Sequence, residues 1–322
     1  MCTAISFCPN DHYFGRNLDL ERSYNESVII TPRRYPFHFR NTRVLESHLA
    51  IIGVGIIAND YPLYFDAANE AGLSMAGLNF PGNAHYFPRF GTAENITPFE
   101  LIPRILGCCK SVAEAIGVIK AINLWDEPFS ENLPLSPLHW LLSDKIESAT
   151  IECTTDGLKI YHNPVGVLTN NPPFPYHLHN LTNYMALSEA TPENRQPIEL
   201  TPYSLGLGSF GLPGDMSSGS RFVKAAFTKL HSRCENDEAS AVSQFFHILG
   251  SVCQQNGLTK LDSGEYEYTQ YTTCCNTDKC IYYYTTYNNS TIHSVHMHTE
   301  DLDTAGLIHY PMVKQPTIVK QN

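Results

Sequence analysis

Cysteine stands at position 2, directly behind the initiator methionine, in the run Met1-Cys2-Thr3-Ala4-Ile5-Ser6-Phe7. Removal of Met1 would leave a first residue with both a thiol and a free α-amine. An α-amine titrates at about 7.7–8.0, so it can act as a base near neutral pH. Covalent catalysis needs a nucleophile beside a general base, and one N-terminal residue can supply both. A small second residue is also common by chance, so this position alone does not decide for catalysis.

Four other segments could complete such a site. Gly15-Arg16-Asn17-Leu18-Asp19 lies one strand–turn–strand away, close enough to bring Arg16 and Asp19 back beside Cys2. A cation there favours the thiolate, and a carboxylate can hold the amine; the same pair also reads as a surface ion pair beside a turn. Asn79 in Gly77-Leu78-Asn79-Phe80-Pro81-Gly82-Asn83 and Asn171 in Leu168-Thr169-Asn170-Asn171-Pro172-Pro173 sit at expected strand ends. Asparagine amides can donate to a developing oxyanion, although asparagine before proline or glycine is ordinary turn chemistry. Arg221 falls in the first turn of an expected helix, where the helix dipole disfavours a cation. It either faces solvent or reaches something outside its own helix.

Other patterns lack their required context. Gly206-Leu207-Gly208-Ser209-Phe210-Gly211 matches a dinucleotide fingerprint, but no apolar strand precedes it and Pro213-Gly214 interrupts any following helix. Cys274, Cys275, Cys280, His293, His296 and His298 are not paired at structural-zinc spacings, so no metal or other cofactor is expected. No nucleophile elbow supports a catalytic serine, and the fourteen histidines show no organising pattern.

The chain has 322 residues, 43% hydrophobic and 16% charged, enough to bury a sizeable core. Its 21 basic and 32 acidic residues give a net charge of −11, which argues against nucleic-acid or anionic-membrane surfaces. No secretion signal or membrane-length apolar run is visible, so a cytoplasmic protein with reduced cysteines and Cys2 at its true start is expected. The first 80 residues read as strands, including 51–57, 61–65 and 72–79. Capping patterns at Thr97/Glu100 and Ser111/Glu114 start two helices. Strands return over 138–155, and Asp156-Gly157 closes a hairpin. An irregular excursion follows at 190–216, then helices near 218–233 and 239–255, then strands at 265–271, 280–287 and 291–298. This order is α+β, with residues 2–322 forming a single domain.

Taken together, Met1-Cys2-Thr3, Gly15-Arg16-Asn17-Leu18-Asp19, Gly77-Leu78-Asn79-Phe80, Leu168-Thr169-Asn170-Asn171-Pro172 and Ser220-Arg221-Phe222 resemble the choloylglycine hydrolase family of N-terminal nucleophile hydrolases. The resemblance runs from residue 2 to about 313 and includes Pro134-Leu135-Ser136-Pro137-Leu138-His139-Trp140. It implies an αββα sandwich of two antiparallel sheets, with Cys2 exposed by loss of Met1 alone. It implies Cys2 as nucleophile and its amine as base, Arg16 and Asp19 as flanking groups, Asn79 and Asn171 as the oxyanion pair, and Arg221 closing the network. It further implies conjugated bile salts as substrates and assembly of a homotetramer through 190–216. Asn79 resembles the bile salt hydrolases, whereas penicillin V acylases tend to carry tyrosine there. A penicillin V acylase or related amidase is the nearest alternative; a binding protein without catalysis on the same scaffold is another. Tyr24, Phe65 and Pro134, in expected loops, are candidates for the substrate-pocket walls.

Overall fold

The computed structural model describes residues 1–91 and 93–322. Two antiparallel sheets stack face to face. One runs in the order Val167–Leu168, Cys2–Phe7, Tyr13–Leu20, Tyr266–Asn276, Ile281–Thr286, Asn289–His296, with Thr259–Lys260 beside Tyr266–Asn276. The other runs Gly157–His162, Ser148–Thr154, Leu138–Ser143, Ser74–Asn79, Tyr61–Asn69, Ile51–Ala58, Ser27–Thr31, Ile308–Pro311.

Side chains alternate across each strand, and both faces of each sheet are covered, so central strands are buried on both sides. In the second sheet Ile52, Val54, Ala68, Ala76 and Leu78 join Cys2, Ala4 and Leu18 of the first in one core. Their neighbours Ile51, Ala67, Met75 and Leu142 turn outward and pack with Ile105, Val112 and Ile119, from helices Leu101–Cys108 and Val112–Ile119. The first core continues outward to Phe222, Phe245 and Ile248, on helices Ser218–His231 and Glu238–Gly250. The layers are therefore helix, sheet, sheet, helix, as the family resemblance implies.

Local signals account for most boundaries. The Glu100 carboxylate accepts the Thr97 N–H at 2.9 Å, and Ser111 Oγ accepts the Glu114 N–H at 3.2 Å. Thr154 pairs with Gly157 across the tight hairpin. Two expectations are corrected. The strand expected to end at 271 runs on to Asn276, because Thr272 to Asn276 pair with Tyr13–Leu20 on one side and Ile281–Thr286 on the other. A short helix, Phe174–Asn180, also follows Pro173; it is too brief and too polar to show a 3.6-residue apolar period. The 190–216 stretch carries only a turn of 3-10 helix at Leu207–Ser209, and it exposes Tyr203, Leu205 and Phe210.

One buried polar cluster makes stability depend on pH. His12 is fully buried, with Nδ1 2.7 Å from Thr277 Oγ1 and Nε2 3.0 Å from Ser6 Oγ. Burial pushes its imidazole down from 6.5 to about 4, against opposing pulls from Asp278 and Asp144. The unfolded chain therefore takes up a proton between these values that the folded chain refuses, and stability falls as pH drops through that window. At about 1.4 kcal/mol per unit the loss is on the order of 3 kcal/mol. Asp66, raised by burial to about 6, acts in the opposite direction and gains stability as pH falls below that value. His12→Gln should therefore lose markedly less stability than the wild type between about pH 7 and 5, read from urea midpoints. An equal loss in both proteins would exclude His12 as the source.

Candidate active site

Cys2 opens the strand Cys2–Phe7, where it pairs with Leu18, and Ala4 pairs with Arg16. Directly opposed residues share a face, so Cys2, Leu18 and Arg16 point between the sheets, while Thr3, Asn17 and Asp19 point to the outer helices. Gly15 is required where the chain enters this site, since a Cβ there would sit 2.1 Å from Thr273 O on the neighbouring strand.

Arg16 is fully buried, and its guanidinium donates to Phe65 O at 3.1 Å and to Gly77 O. Burial alone would lower its pKa. The acidic groups around it, Cys2, Tyr271, Asp66 and Asp19, outweigh that effect and raise it, so the group stays cationic behind the thiol. Arg221 approaches the same strand from the helix side. Its Nη1 donates to Cys2 O at 2.5 Å and Thr3 Oγ1 at 2.6 Å, and its Nη2 donates to Asn170 Oδ1 at 2.7 Å. Burial lowers its pKa against the pull of Asp19, Cys2 and Glu267. The mismatch with its helix dipole is thus resolved: this arginine does reach beyond its own helix.

Asp19 is buried beneath the chain terminus. Its carboxylate accepts from Thr269 Oγ1 at 2.6 Å and Gln254 Nε2 at 3.1 Å. The Met1 ammonium, still present here, is held by the Asp19 carbonyl and by Glu267 Oε1, each at 2.7 Å. One residue on, the Cys2 N–H donates to Asn170 Oδ1 at 2.8 Å.

Asn170, not Asn171, is the asparagine brought to Cys2. Its side-chain oxygen meets two donors, Cys2 N–H and Arg221 Nη2, and its amide donates to Asn79 O at 2.7 Å, which fixes the amide orientation. Asn171 faces the other way and donates to Pro81 O at 2.6 Å, tying its turn to the one after Asn79. Asn79 ends its strand with the side chain on the wall of a cavity.

That cavity, about 360 Å³, reaches from Cys2, Arg16 and Asn79 outward past Leu20, Phe65 and Pro134 to Tyr24 and Arg22 at the mouth. All three expected wall residues line it. Phe65, expected at the strand's end at 65 and in a loop beyond it, does so from inside a strand that runs on to Asn69. Val54 pairs with Asp66 and Gly55 with Tyr64, so Phe65 is an unpaired bulge residue. The bulge turns its carbonyl to Arg16 and its ring to Tyr24, 6.3 Å between centroids. A second bulge at Gln270 lets Thr269 reach Asp19 on the outer face while Tyr271 pairs opposite Leu18. Arg16 and Arg22 are the charged residues of the described cavity wall, which holds no carboxylate. Among the described residues no His, Cys, Asp or Glu group has metal-holding geometry, and no helix is long and apolar enough to cross a membrane.

Comparison with known proteins agrees with this geometry. The model of the family described as linear amide C–N hydrolases, choloylglycine hydrolase family, matches residues 2–310. A bile salt hydrolase/transferase of Lactiplantibacillus plantarum is 57% identical over 314 residues, 97% of each chain. One from Bifidobacterium longum subsp. longum is 40% identical, covering 96% of this chain and 99% of its own. The crystal structure of a conjugated bile acid hydrolase variant from Clostridium perfringens superposes with a TM-score of 0.92 over the full length of both chains, at 36% identity. A penicillin V acylase from Agrobacterium tumefaciens shares the fold, at TM-score 0.77 and 19% identity over 97% of this chain and 91% of its own.

Proposed function

Because this chain belongs to the choloylglycine hydrolase family of linear amide C–N hydrolases, we propose that it hydrolyses the amide joining a bile acid to glycine or taurine, with Cys2 as nucleophile. The observation that carries this reading is the cavity: it ends on Cys2, is walled on the way by Leu20, Phe65, Phe99, Ile102 and Phe129, bears Arg16 and Arg22, and has no carboxylate among its described lining residues. It suits a large apolar acyl group attached to an anion, in a chain whose overall charge would otherwise repel one.

Once Met1 is gone, the Cys2 amine takes the thiol proton. The thiolate adds to the amide carbonyl, and Asn79 and the free N–H of the Asn170 amide receive the oxyanion. Arg16 stabilises the thiolate from between the sheets, while Arg221 and Asn170 hold the residue from behind. Collapse of the intermediate breaks the C–N bond, and the ammonium gives its proton to the leaving amine. Water then attacks the thioester with the amine again as base, releasing the bile acid. Asp19 acts through its carbonyl and its buried charge.

Residues 2–322 are proposed to work as one catalytic domain in the cytoplasm, without a cofactor. The exposed Tyr203, Leu205 and Phe210 of the 190–216 excursion are proposed to be covered in a homotetramer. The deciding experiment compares glycocholate with penicillin V, using protein whose mass verifies loss of Met1. Glycine release from glycocholate should exceed penicillin V turnover at least about tenfold. The reverse order would identify a penicillin V acylase, and no turnover of either substrate by chain freed of Met1 would favour a binding protein.

A further inference from the structure

We propose that His139, paired with Glu152, is a positioning residue that sets the spacing of Asn79 and Asn170. The inference rests on the catalytic reading above and assigns a role to two buried groups which that mechanism leaves unused.

His139 lies on Leu138–Ser143 and Glu152 on Ser148–Thr154, both completely or almost completely buried. The His139 Nε2 is 2.9 Å from Thr169 O, and its Nδ1 is 3.1 Å from Glu152 Oε1. A carbonyl only accepts, so Nε2 carries a proton. Between Nδ1 and the carboxyl lies a second proton, since either a carboxylate accepts it or a carboxylic acid donates it. The pair is therefore net neutral, the condition under which two titratable groups can be buried together at tolerable cost.

Its contacts converge on the two asparagines. Thr169 immediately precedes Asn170. Glu152 Oε1 also accepts the Phe174 N–H at 2.9 Å, so the pair grips the chain on both sides of the Asn170 turn. Phe80, immediately after Asn79, stacks on the His139 ring at 4.2 Å and 6°. The bond from Asn170 Nδ2 to Asn79 O closes the loop. His177 Nε2, 2.9 Å from Asn170 O, steadies the turn from its other side. A phenylalanine at 139 would fill the space and keep the stack, but it would hold neither Thr169 nor Glu152. A histidine that merely filled the core would need neither Nε2 on Thr169 O nor Nδ1 on the glutamate that holds the Phe174 N–H.

The test compares His139→Phe, His139→Gln and Glu152→Gln with wild type, measuring kcat and KM for glycocholate, the rate of Cys2 alkylation by iodoacetamide, and the melting temperature. Small misplacements of catalytic groups cost on the order of 10²-fold. His139→Phe should therefore lose roughly 10- to 100-fold in kcat, with KM and alkylation within about threefold of wild type. His139→Gln, which can still donate to Thr169 O, should recover at least about fivefold of that loss. Wild-type kcat in His139→Phe, or parallel losses in kcat, KM and alkylation, would overturn the proposal. If His139→Phe does not fold, Glu152→Gln decides: a lowered kcat at unchanged alkylation supports the role, and an unchanged kcat ends it. Absence of glycocholate turnover in the wild type would count against the catalytic reading instead.

Discussion

Cys2→Ala protein, freed of Met1, is expected to release no glycine from glycocholate above the spontaneous rate. Removing the nucleophile of a covalent hydrolase costs about 10⁶ in kcat, and what remains comes from binding and oxyanion donors alone. The substitution removes only the sulfur. The Cys2 N–H still meets Asn170 Oδ1 and its carbonyl still meets Arg221, so strand and cavity persist. Binding of glycocholate, measured by calorimetry, should survive while turnover vanishes. Glycine release above background by this variant would remove Cys2 from the mechanism. Chain that keeps Met1 should be equally inactive, because its free amine is held between the Asp19 carbonyl and Glu267, one residue away from the thiol it has to serve.

The second large effect separates two adjacent asparagines. Asn170→Ala should lose 10²- to 10³-fold in kcat, the range seen when one oxyanion donor is removed. It also strips two buried donors, the Cys2 N–H and Arg221 Nη2, of their shared acceptor, so a stability loss of about 1–3 kcal/mol should accompany it. Asn171→Ala gives up one bond to Pro81 O at the surface and should stay within a few-fold of wild type. Steady-state kinetics on both variants decides; a larger loss at 171 than at 170 would reverse the assignment.

That pair also marks where the sequence stops being informative. Cys2, Arg16, Asp19, Asn79 and Arg221 were picked out because their motifs, each ambiguous alone, together resemble one family in order and spacing. The choice between Asn170 and Asn171 was not, because adjacent residues near a strand point to opposite sides and a one-residue difference inverts the answer. What fixes the side is the two-residue pairing of Val167–Leu168 with Ile5 and Ala4, a long-range contact without a local signature. Phe65 was recognised as a wall residue, but the strand was ended at 65, since a bulge that carries it on to Asn69 cannot be seen in the run Tyr61–Asn69. The helix Phe174–Asn180 escaped for lack of length. His139 and Glu152 carried no chemical signature in the sequence: one histidine among fourteen, inside a segment of the resemblance, and one glutamate on an ordinary hairpin acquire meaning only when three segments distant in sequence meet around them.

The bulge at Phe65 has a consequence for the directed evolution of this protein. A single-residue deletion there would let Tyr61–Asn69 pair with Ile51–Ala58 without interruption, and selection for heat resistance would favour the straightened ladder. The same deletion would withdraw the carbonyl that anchors Arg16 and the ring that faces Tyr24. Libraries screened for survival and libraries screened for turnover should therefore diverge at this one position, and a thermostable lineage that accepts the deletion would have to rebuild the cation's anchor from elsewhere in the sheet.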